Sequence, residues 1–144
     1  MAEEIFISSH NDVSNRFAVL EDDERVAYLY LTARGTQRPE RDAIAYVRNA
    51  PPETVDWKAA ASEGNPPMLD RAHATMAAVI PAPIASDFSV RWSPDGESAA
   101  LLYKGDPIAL VLASERMGYS KAVASECPLA RPWDEALFVR AMGK

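Results

Sequence analysis

"RWSPDGESAALLY", residues 91–103, is the stretch whose reading decides the fold. Phe88, Val90 and Trp92 alternate with Ser89 and Arg91, the period of a half-buried strand. Asp95-Gly96 follows, and glycine supplies the positive φ that a tight hairpin turn requires. The return strand, Ser98 to Tyr103, is apolar on both faces. "KGDP" at 104–107 then turns the chain into "IALVLA", residues 108–113, again apolar on both faces. A three-stranded antiparallel meander is expected. Trp-Ser-Pro-Asp-Gly also opens the blades of many β-propellers. A propeller needs at least four blades of about 40–45 residues, each repeating the signature. In 144 residues the motif occurs once, and there is no second Asp-Gly. The propeller reading fails.

Moving towards the N-terminus, "RVAYLYLTAR", residues 25–34, has Tyr28 and Tyr30 on one face with Val26 and Thr32. Ala27, Leu29 and Leu31 take the other, so a central strand is expected. It pairs as a hairpin with the preceding run, in which Phe17, Val19 and Glu21 point one way and Ala18 and Leu20 the other. "IFIS" near the start reads as an edge strand. "GTQRPERD", residues 35–42, reads as a polar loop, and "AIAYVRNA", residues 43–50, leans towards strand. Residues 51–83 change character, with Pro51, Pro52, Pro66, Pro67, Pro81 and Pro83 separating alanine-rich segments. Leu69, Ala72, Met76 and Ile80 fall at helical spacing, so this region is expected to be a helical insertion, with a shorter helical turn at "DWKAAAS". "PWDEALFVRAMGK" at the C-terminus reads as a helix, acidic at its start and basic at its end. Trp133, Leu137, Phe138, Ala141 and Met142 form its apolar stripe, suited to closing over a sheet. The expected fold is a single α+β domain over 1–144 with a mostly antiparallel sheet.

Composition fits such a domain. Apolar residues make up 48% and charged residues 25%, the balance of a globular protein. The 21 acidic and 15 basic residues leave a net charge of −6, which argues against nucleic-acid and anionic-membrane partners. Cys127 is the only cysteine, so an internal disulfide and a cysteine-rich zinc site are excluded. The N-terminal stretch has no basic region and no long apolar core, so the cytoplasm is the expected compartment.

With these residues in hand, the chain resembles a set of small uncharacterised bacterial proteins grouped as domain of unknown function 2251. The likeness lies in "FAVLEDD", "AYLYLTA", "DAI" at 42–44, "FSVRWSPDGESAALL" and "ERMGY" at 115–119. Glu24 stands where that family tends to have a turn glycine, and Ala45 where it often has histidine. The insertion also looks longer than usual. The resemblance implies the same arrangement of hairpins and implies no activity.

Catalytic chemistry is not legible. His73 lies three residues after Asp70, spacing that suits a surface ion pair, and no third metal ligand is placed to join them. Cys127 sits in a proline-flanked loop without an evident base, and the serines lack a nucleophile-elbow context. No catalytic, metal or cofactor residue is therefore assigned. Two features point to binding. One is the acidic corner Glu21-Asp22-Asp23-Glu24, read as a solvated hairpin turn or as a docking patch for a basic partner. The other is the aromatic set Tyr28, Tyr30 and Trp92, read as buried on both sides under helices or, if all three share an exposed face, as an acid-rimmed patch. The leading expectation is a non-catalytic module that binds a basic protein, in the manner of inhibitors and immunity proteins. Charge reversal at Asp22 and Asp23 would then weaken binding and spare the fold. The alternative is a small enzyme or ligand-binding protein with a pocket between the sheet and the inserted helices. Self-association through an edge strand stays open.

Overall fold

The computed structural model describes residues 4–62, 64 and 66–143. The alternating N-terminal runs fold as β1 (Ile5–Asn11), β2 (Arg16–Asp22), β3 (Val26–Thr32) and β4 (Pro39–Val47). They form an antiparallel meander in chain order. The second half gives β5 (Phe88–Trp92), β6 (Ser98–Tyr103) and β7 (Asp106–Leu112), the meander expected around the Trp-Ser-Pro-Asp-Gly motif. Two short strands, β8 (Tyr119–Ser120) and β9 (Arg131–Pro132), extend that sheet, paired parallel to each other. The hairpins are thus divided between two sheets rather than gathered in one. Strands apolar on both faces need cover on both sides, and a second sheet supplies one layer.

The core lies between the sheets. Leu20, Leu29 and Leu31 of the first share one buried cluster with Leu101, Ala109 and Val111 of the second. The opposite faces of β6 and β7 present Ala100, Leu110 and Leu112, and these pack with Phe138 and Met142 of α2 (Glu135–Met142). Asp134 caps α2 by accepting the Leu137 N–H at 3.0 Å, and Gly143, at φ 68°, ends it in the left-handed region. The C-terminal helix closes a sheet face as expected. Lys144 and residues 1–3 lie outside the described residues.

Two expectations are corrected. Residues 39–42 are not loop, because β4 begins at Pro39, where a strand's first position tolerates a missing N–H. Residues 51–83 are not a helical insertion. Their only α-helix among the described residues is α1 (Trp57–Ser62), followed by 3-10 turns at Arg71–His73 and Met76–Ala78. The prolines interrupt the helical ladder, and the backbone bonds outward instead. Arg71 N–H donates to Pro52 O at 2.8 Å, Thr75 N–H to Ala122 O at 2.9 Å and Ile80 N–H to Val47 O at 2.9 Å. Leu69 is fully buried while Met76 is 100% exposed, so the helical stripe does not exist.

The Asp95-Gly96 turn also docks one sheet on the other. Gly96 sits at φ 72°, and a Cβ there would lie 2.2 Å from Oδ1 of Asn11, the last residue of β1. Beside it, Arg16 joins Glu40 at 2.7 Å and Glu97 at 2.9 Å, and Arg34 also pairs with Glu97. Asp95 accepts the Glu97 N–H at 3.0 Å and the Ser93 hydroxyl at 2.7 Å, and those bonds hold its carboxyl below the usual range.

Candidate interaction face

The outer face of the first sheet is half covered. Over β3 and β4 the described residues of the segment between 52 and 80 lie down on it. The Tyr28 hydroxyl donates to Pro67 O at 2.8 Å, Arg25 donates to Pro66 O at 2.8 Å, and the Trp57 indole donates to Met68 O at 2.6 Å. Over β1 and β2 nothing comparable covers it among the described residues. There Phe6, Phe17, Val19 and Tyr30 line an open concavity of about 460 Å³, with Ser8 and Glu21 at its sides. Strand register explains the grouping. Phe6 pairs with Glu21, Ser8 with Val19, His10 with Phe17 and Val19 with Tyr30, all on one face of the pleat. Phe6 is 67% exposed, an unusual position for a phenylalanine on a regular strand.

The concavity is electronegative at its margin. Burial pushes the Tyr30 phenol up to about 12, helped by the negative charges of Glu21, Asp42 and Asp23. Tyr28 stacks on Tyr30 with ring centroids 6.0 Å apart, and its own phenol is pushed higher, chiefly by burial. Tyr28 is therefore buried under the covered half of the face, and Tyr30 is the half-buried wall at which the open half begins.

The residues singled out in the sequence are only partly brought together. Glu21 is exposed on this face. Asp22 is not on the surface at all. Its side chain is 0% exposed, paired with Arg48 at 2.9 Å, and accepts the Tyr46 hydroxyl at 2.5 Å and the Glu24 N–H at 2.8 Å. The reading of 21–24 as one solvated acidic corner is corrected accordingly: strand alternation turns Asp22 inward with Ala18 and Leu20. Asp23 shapes the turn by accepting the N–H groups of Arg25 and Val26, each at 3.0 Å. Glu24 is exposed at φ 78°, in the left-handed region. Trp92 does not share the tyrosine face. It pairs with Ala99, turns between the sheets and donates its indole N–H to Ser9 Oγ at 2.9 Å.

Three members of the patch, Phe6, Phe17 and Val19, were not singled out as binding residues. The alternation that sets Phe17, Val19 and Glu21 on one side of β2 is legible, whereas placing Phe6 beside them needs the β1–β2 register. Cys127 is buried, its thiol 3.8 Å from Ala130 O, and His73 pairs with Asp70 at 2.6 Å to close a 3-10 turn. No helix among the described residues is long and apolar enough to cross a membrane. No protein-family model, no curated protein and no solved structure matches the chain.

Proposed function

We propose that this chain is a small, non-catalytic protein-binding module of the cytoplasm, which docks a basic partner on the open half of its first sheet. The observation that carries the reading is the uncovered apolar patch around Phe6, rimmed by Glu21 and set in a chain of net charge −6. Aromatic side chains in a shallow concavity supply binding energy by desolvation, and the surrounding acids steer and select a cationic surface. The likeness to the bacterial family named above belongs to this reading, as does the analogy with inhibitors of basic enzymes. Both concern fold and charge, and the site argument stands on the patch.

A second reading, a ligand-binding protein, draws on a cavity of about 260 Å³ between β4, β7 and residues 77–80. Asp106 and Lys121 at its margin pair with each other at 3.1 Å, and the rest of the lining is mainly apolar. It is small beside ordinary ligand pockets of about 300–1,000 Å³.

The test compares capture by the native chain, a Phe6→Ala/Phe17→Ala variant and a Glu21→Lys variant, from lysate at low and moderate salt. One basic protein held by the native chain, weakened by salt and lost with both variants, is the expected result. A species held equally by all three would remove the patch from the account. A clean native column would turn attention to small-molecule screening by thermal shift.

A further inference from the structure

The same face ends in a strand edge that makes no backbone hydrogen bond to another segment among the described residues, although the 3-10 turn Ala85–Asp87 approaches β1, and that edge narrows the kind of partner. In the first sheet, among the described residues, β1 has a strand neighbour on one side only. The other margin, at β4, is occupied: Val79 bridges to Val47, and Ile44 N–H donates to Leu129 O at 3.3 Å. Along β1, alternate residues turn N–H and C=O away from β2, a row of backbone groups able to pair with another strand.

Edges of this kind are ordinarily blunted by lysine, proline, a bulge or brevity. β1 has none of these. Ile-Phe-Ile-Ser-Ser-His-Asn contains no Lys, Arg, Asp, Glu or Pro, and its seven residues pair with β2 without a register shift. The contrast within the molecule is direct, since β3–β4 and β6–β7 both carry register shifts. The outer edge of the second sheet, β5, is shorter and carries Arg91.

We propose that β1 accepts an extended segment of a basic protein as an added antiparallel strand. Apolar side chains of that segment would extend the Phe6 stripe, and lysines or arginines at its ends would meet Glu4 and Asp12. Both acids are exposed and flank β1. Charge selects this occupant over a second copy of the chain. In the register that pairs all seven residues, an antiparallel copy sets Glu4 of one chain opposite Asp12 of the other, and like charges opposed across strands repel. Main-chain hydrogen bonds would supply affinity and alternate side chains specificity. The inference rests on the docking reading above and adds the mode of binding to it.

The probe is a synthetic peptide alternating valine and threonine with lysines at both ends. Its companions are an N-methylated form, blocked at alternate amides, and a form with glutamates in place of the lysines. Binding is followed on the native chain and on Phe6→Ala by titration and by amide hydrogen exchange. The lysine peptide should bind, slow exchange at alternate β1 amides about tenfold or more, and lose about tenfold in affinity on N-methylation and again with glutamate ends. Equal binding of the N-methylated form, weakened by Phe6→Ala, would overturn strand addition while leaving docking on the face intact. No binding of any peptide would also overturn it, with the captured partner still deciding the wider reading. Protection of β1 that grows with protein concentration alone would give the edge to a second copy and overturn the basic partner.

Discussion

Asp22 and Arg48 meet at 2.9 Å inside the protein, their side chains 0% and 3% exposed, with the Tyr46 hydroxyl on the same carboxylate oxygen. This pair ties the end of β2 to the residue following β4, across the width of β3. Two desolvated charges that satisfy each other do not by themselves add much stability, but removing the Asp22 carboxylate takes a buried ionic partner from Arg48 and an anionic acceptor from Tyr46.

Asp22→Asn is therefore expected to destabilise the fold by about 3–5 kcal/mol, read by denaturant unfolding. A cost below about 1 kcal/mol for Asp22→Asn would contradict the buried pair. Reversal of Asp22 is consequently a folding lesion and cannot serve as a binding test, whereas Glu21 serves well.

Glu24 occupies φ 78°, a conformation that costs an L-residue about 1–2 kcal/mol and a glycine little. Its side chain is exposed in the turn between β2 and β3. Glu24→Gly should leave the protein as stable or raise its stability by about 0.5–1 kcal/mol, although glycine ordinarily weakens a chain through the entropy of its unfolded state. A loss of more than about 1 kcal/mol in thermal unfolding would mean that the carboxylate makes a contribution the geometry does not show.

How much of this was legible in the sequence depends on whether the signal was local. The hairpin at 88–103 reads directly, because alternation and Asp95-Gly96 act within a few residues. The closing helix reads directly for the same reason: cap, stripe and terminal glycine are all contiguous. The 51–83 region misleads because its apolar spacing suits a helix while its prolines and its hydrogen bonds to Val47 and Ala122 impose another path. Asp22 misleads because a run of four acids looks solvated until strand pairing turns one of them inward onto Arg48, a partner 26 residues away. Trp92 misleads in the same manner. Its strand is obvious, but which sheet covers it is a tertiary fact.

Three phenols share one electrostatic condition, which gives the stability a pH dependence on the alkaline side. Burial raises the Tyr28, Tyr30 and Tyr46 hydroxyls above their ordinary value of 10.0, Tyr30 to about 12. The unfolded chain loses these protons near pH 10 while the folded chain retains them, so in that window the unfolded state binds fewer protons. Stability is then full below about pH 10 and falls as pH rises towards and through the folded values. Ultraviolet titration of tyrosinate should show Tyr30 ionising at about 12, and denaturant midpoints should drop as the pH rises from about 10 to about 12. Tyr30→Phe should remove the transition at about 12 and soften the alkaline decline. A flat midpoint over that range would be the contrary result.

The irregular segment over Tyr28 offers the sharpest separation between the helical expectation and the observed path. A helix through residues 67–80 would turn Leu69 and Met76 inward together, since seven residues separate them on one stripe. The structure instead buries Leu69 completely, two residues after the Pro67 carbonyl that holds Tyr28, and leaves Met76 100% exposed at the start of a 3-10 turn. Leu69→Ala should accordingly cost about 2–5 kcal/mol, the range for emptying a closed aliphatic site. Met76→Ser should stay within about 0.5 kcal/mol of the native chain, as a surface change without a partner. Both are measured by the same urea titration, with unchanged slopes confirming that the unfolded state is common to them. Equal, large losses at the two positions would restore the helix and displace the cover from Tyr28. A loss at Leu69 alone fixes that cover in place and leaves only the β1–β2 half of the face open for a partner.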